Sequence, residues 1–97
     1  MDTMTKAAAD VLAERRRQIE AEGWTPDHDD RHSAGAMADA AACYAMFRGT
    51  DAALPEGYYE LWPWDREWWK PSGRRRNLVK AAALLLAEIE RLDRAAT

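Results

Sequence analysis

The chain has 97 residues, 47% of them hydrophobic and 32% charged, a mixture that builds one hydrophobic core and excludes both a disordered tail and a second domain of ordinary size. Fourteen Lys and Arg against seventeen Asp and Glu give a net charge of −3, so the molecule as a whole lacks the positive footprint of a duplex-DNA binder. No apolar run approaches the roughly 20 residues that cross a bilayer, and the polar first residues lead into a charged helix instead of a secretory leader, so a cytoplasmic protein with no membrane partner is expected.

Residues 5–22 are rich in Ala, Leu, Glu, Arg and Gln and predict a first helix, with Ala8, Val11, Leu12, the stem of Arg15 and Ile19 on one face and Gly23 as its stop. Arg15, Arg16 and Arg17 fan out by about 100° per residue, so they cannot share one target and are expected to face solvent or pair with acids. The stretch from Trp24 to His32 has a proline, three aspartates and no period, which reads as a loop, and Ser33 is placed to cap a second helix. That helix covers residues 34–47 with Met37, Ala40, Ala41, Tyr44 and Phe47 inward. Its alanines permit close packing, and the lone Cys43 among them reads as a buried thiol.

Residues 50–73 form a long connection punctuated by Pro55, Gly57, Pro63, Pro71 and Gly73, with room for a short helical turn within 63–70. The last helix spans residues 74–94 behind Ser72 or Gly73 as cap. Leu78, Ala82, Leu85, Ile89 and Leu92 recur there at alternating spacings of four and three, Val79 and Leu86 widen the stripe, and this face reads as the spine of the core. On its polar side Glu88 and Arg91 are spaced to pair. The expected fold is therefore all-α, one domain of three main helices with a Trp-rich connection between the second and third. Because so small a chain buries little area, a homo-oligomer or a bound ligand is expected to add stability.

Two constellations could carry chemistry. The run from Glu22 to His32 holds two imidazoles and several carboxylates, groups that bind divalent metals or move protons; in the plainer reading Asp29 or Asp30 caps a helix or pairs with an arginine. The run from Leu61 to Arg76 holds Trp62, Trp64, Trp68 and Trp69, four of the five tryptophans, followed by Lys70, Arg74, Arg75 and Arg76. Indole faces beside cations suit a nucleotide, whose base stacks while its phosphate takes charge-assisted hydrogen bonds. The alternative is that at least two of these indoles roof the helices. The candidate ligand-binding set is Trp24, His28, Asp30, His32, Trp62, Trp64, Trp68, Trp69, Lys70, Arg74 and Arg75, with no catalytic residue and no metal ligand assigned.

The order E-x-x-R-Q from Glu14, E-G-W-T-P-x-H-D-D-x-H from Glu22, A-A-x-C-Y-A around Cys43, L-W-P-W-D-R-E-W-W-K-P from Leu61 and the R-R-x-L-V-K-A-A-A-L-x-L-A-E-I-E-R-L-D-R run ending at Arg94 resembles a family of small phage and prophage proteins. Members of that family are in turn likened to MazG-type nucleotide pyrophosphohydrolases, which implies an all-helical fold, Mg²⁺ and a nucleoside triphosphate. The E-x-x-E and E-x-x-D pairs that hold magnesium in MazG-type enzymes are only partly matched. Gly35, Ala36 and Met37 stand where the resemblance implies a Gly-Glu-Leu start to the second helix, and Glu90 and Asp93 give the one E-x-x-D spacing, near the end of the last helix. The expectation is thus a phage-encoded protein that sequesters a nucleotide-type molecule, such as a signalling nucleotide of antiviral defence. One alternative is a Mg²⁺-dependent hydrolase with Asp29, Asp30, Asp39 and Glu22 as ligands. The other is an interaction protein that blocks a host enzyme through a Trp/Arg patch.

Overall fold

The computed structural model describes residues 3–31, 35–50 and 53–96. Helix α1, Lys6–Glu22, starts where Thr5 Oγ1 accepts from the Ala8 amide at 3.1 Å. It ends at Gly23, whose φ of 74° lets the Trp24 amide turn back to the Gln18 carbonyl at 3.0 Å. The stretch expected as a loop contains a short helix, α2, Pro26–Asp30. Thr25 accepts from the His28 amide and Pro26 takes the first helical position, where its missing N–H costs nothing. Five residues are too few to show a period, so only the Thr-Pro start signal was there to be read.

Helix α3, Ala36–Met46, begins at Gly35, which is in the left-handed region with φ 83°. Ser33, the expected cap, and His32 lie outside the described residues. The expected inner side holds: Met37, Ala40, Ala41, Tyr44 and Phe47 are all buried. The long connection forms two single-turn 3₁₀ helices, Glu56–Tyr58 and Arg66–Trp68, the second inside the span where a turn was expected. Helix α4, Arg74–Ala95, follows Gly73. Buried Asn77 secures its entry by accepting from the Ser72 amide at 2.7 Å and donating to the Ser72 carbonyl at 3.0 Å. Among the described residues there is no strand; the fold is all-α, and no described helix is long and apolar enough to cross a membrane.

Helix α4 is the centre of the packing and touches α1, α2 and α3. Alanines make up half of its buried residues and two of the five on α3, with Ala40, Ala41, Ala81, Ala83 and Ala87 at most 3% exposed, so the backbones approach closely. The connection then lays its rings over α3. Trp69 stacks on Tyr44 with centroids 4.7 Å apart, meets Phe47 edge-on at 5.2 Å, and meets Trp62 at 5.2 Å. Tyr44 holds this roof down, its hydroxyl accepting from the Lys70 amide at 3.1 Å and donating to the Trp68 carbonyl at 3.5 Å.

Two expectations about helix faces are corrected. The stripe Leu78, Leu85, Ile89 and Leu92 points outward, while Asn77, Val79, Ala81, Ala83, Leu84 and Ala87 face the core. Periodicity finds apolar faces but does not say which one a small-residue helix such as α3 will choose, and alanines admit the closer contact. On α1 the buried residues are Glu14, Arg15 and Gln18, whereas Ala8 and Leu12 are exposed and Val11 and Ile19 half-buried. The stem of Arg15 is inward as expected, but its polar neighbours accompany it because the head enters a buried network: it donates to Asp29 at 2.8 Å, Glu90 at 3.1 Å and the Trp24 carbonyl at 3.2 Å. This network ties α1 to α2 and α4.

Candidate functional site

The ten candidate residues among those described divide among several places. Trp62 and Trp69 are 6% and 5% exposed and belong to the core, so two of the four clustered indoles roof the helices and offer no face to a ligand. Arg74 leans across to the end of α3, donating to the Ala45 carbonyl at 2.6 Å and the Phe47 carbonyl at 3.0 Å. There it satisfies carbonyls that a helix end leaves open. Arg75 pairs with Asp10 at 2.8 Å, and Asp30 with Arg94 at 2.8 Å. The expected common hollow of tryptophans and arginines is therefore not formed by these four rings and two guanidinium groups.

Trp24, His28, Trp64, Trp68 and Lys70 do come together. Trp24 lies parallel to His28 with centroids 6.4 Å apart and tilts against Trp64 at 5.6 Å. Trp68, 42% exposed, rises from the second 3₁₀ turn and carries the Lys70 ammonium 5.4 Å from its ring centroid. An open hollow of about 520 Å³ is lined by His28, Pro63, Trp64, Asp65 and Trp68. Trp68 also walls a narrow cleft with Trp24 and Tyr44; its remaining lining includes Gln18 and Leu84, the cations Arg17, Lys70 and Lys80, and the acids Glu14 and Glu22. The cleft itself has about 40 Å³ of room, enough for a few waters and too little for a base, so a ring-sized ligand belongs in the hollow.

The electrostatics of the cleft are set by α1. Glu14 is buried, which by itself raises its pKa, yet the two hydrogen bonds from Arg17 at 2.9 Å each and the charge and hydrogen bond of Arg76 outweigh that and hold it below the ordinary value. Gln18 Nε2 donates to the same carboxylate at 3.2 Å. A carboxylate only accepts, so the amide orientation is fixed, and Gln18 Oε1 is left buried with no hydrogen-bond partner. Lys80 donates to the Lys70 carbonyl at 2.7 Å and has its pKa lowered, first by burial and then by Arg76. Sequence reasoning missed Glu14, Gln18 and Lys80. Their spacing along α1 and α4 gives no sign that two helices cross under an indole-rich loop.

Comparison with protein-family models, with curated protein sequences and with solved structures gives no match. Of the four carboxylates expected to hold Mg²⁺ under the hydrolase alternative, three are each bound by an arginine. Asp29 is held by Arg15, Asp30 by Arg94 and Glu22 by Arg17. Asp39 sits in the first turn of α3. Among the described residues no three Asp, Glu, His or Cys side chains converge on a metal-sized site. Cys43 is buried, and burial pushes its thiol up to about 11, far from a reactive thiolate.

Proposed function

We propose that the chain binds a nucleotide-type small molecule, with the base in the hollow against Trp64 and Trp68 and the phosphate at the adjoining mouth of the cleft. One observation carries this reading: the exposed indole of Trp68 stands between an aromatic hollow of ring size and a cleft whose mouth has Lys70 and Lys80 beside an Arg17 already bound by Glu14 and Glu22. Asp65 at the edge of the hollow offers a carboxylate to a base's amino group and repels phosphate, which orients the ligand toward the lysines. The buried Gln18 Oε1 calls for a donor, and a ribose hydroxyl or a water held beneath the ligand supplies one.

Capture asks for affinity alone, and each group named here supplies affinity by stacking, charge or hydrogen bonding. The resemblance to small phage proteins supports sequestration of a signalling nucleotide as the purpose of that capture. Thermal denaturation with a panel of nucleoside monophosphates and cyclic dinucleotides tests it. At least one member should raise the melting temperature of the wild-type protein by several degrees. Lys70→Glu, a substitution at an exposed position, should abolish the shift without changing the melting temperature of the free protein. No shift with any member at millimolar concentration sinks the proposal.

A further inference from the structure

The outward face of α4 carries Leu78, Leu85, Ile89 and Leu92 at 41%, 45%, 55% and 52% exposure. At about 100° per residue these four fall within one narrow arc, with Ala82 beside it, roughly opposite the buried Ala83, Leu84 and Ala87. The helix is therefore apolar on two sides, the pattern of a helix covered on both. The allocation of side chains is also unusual, with four of its six Leu and Ile exposed and alanines making up half of its buried residues. We propose that a second copy of this chain covers this face, with the two α4 helices antiparallel about a two-fold axis near Leu85.

Charge selects both the occupant and the direction. Arg74 and Arg75 flank the stripe at its start and Asp93 flanks it near its end, all three exposed; within the chain Arg74 donates to the Ala45 and Phe47 carbonyls and Arg75 pairs with Asp10, leaving 58% of the Arg75 side chain open to a partner. A parallel partner sets Arg75 beside Arg75 and Asp93 beside Asp93. An antiparallel copy sets Arg75 near Asp93 at both ends and opposes the helix dipoles. One end of the stripe thus supplies what the other requires, the reciprocity of a two-fold contact between identical surfaces. The alternating four and three spacing gives a knobs-into-holes seam in that arrangement. The four side chains present on the order of 300 Å² of apolar surface per copy, suited to the dry centre of an interface whose usual total is about 800 Å² per partner.

Sedimentation velocity over about a hundredfold range of protein concentration, with cysteine cross-linking, tests the proposal. The wild-type protein should sediment as a dimer, and Leu85→Lys combined with Ile89→Lys as a monomer with unchanged helical circular dichroism, since both side chains are exposed in the single chain. Leu85→Cys should oxidise to a covalent dimer near the axis. Leu92→Cys should not, because its two copies lie roughly 20 Å apart along the seam. A wild-type monomer at every concentration leaves the face to some other occupant and overturns the proposal. A dimer that survives the double lysine variant overturns it as well, and so does a Leu92→Cys cross-link, which requires the parallel arrangement.

Discussion

Asp29 and Arg15 are 1% and 5% exposed, and neither charge could remain there alone. Removing Arg15 leaves the Asp29 carboxylate buried without its guanidinium, so Arg15→Met should cost about 3–5 kcal/mol in urea denaturation, while replacing both by apolar residues of similar volume should cost much less. Glu14 gives a second prediction. Its folded pKa lies below the ordinary 4.5, so its contribution to stability is complete above that value and is lost as pH falls through the folded one, because the unfolded chain takes up the proton first. The urea midpoint of the wild-type protein should therefore fall more steeply than that of Glu14→Gln below about pH 4.5. Cys43, with its thiol pushed up to about 11, should fail to react with a thiol reagent at pH 8 until the protein is denatured.

For the helices, what could be read from the sequence followed from signal length. Helix α4 shows its 22 residues as a sustained apolar period, and α1 announces itself through Thr5 and Gly23, so both were legible to within a residue or so. The inward side of α3 was legible because Met37, Tyr44 and Phe47 are large and recur with Ala40 and Ala41 at helical spacing. Orientation of α4 was not, since a helix apolar on two sides gives a period without a direction. Of the candidate site, the aromatic residues were legible as a cluster, but their division into roof and hollow depends on which ring Tyr44 stacks upon, a contact between residues 25 positions apart. The entry to α4 depends on Asn77. Asn77→Ala should leave both Ser72 backbone groups without their partners and cost about 1–3 kcal/mol, measured as a lowered urea midpoint with an unchanged slope.

Taken together, the molecule divides its surface between two tasks. The apolar stripe of α4 faces away from the alanine-rich core, while the cleft under Trp68 lies where α1, α3, α4 and the indole-rich connection meet. Loss of one should leave the other standing, so the double lysine variant on α4 should still respond to nucleotide. The reading of the hollow rests on Trp68, the ring that belongs to both cavities. Its most direct measurement is a tryptophan-fluorescence titration of the wild-type protein and of Trp68→Phe with the nucleotide that shifts melting most. The wild-type signal should show saturable quenching, and Trp68→Phe at least a tenfold weaker affinity with most of the quenching lost. Equal affinity and equal quenching in the two proteins would contradict that reading.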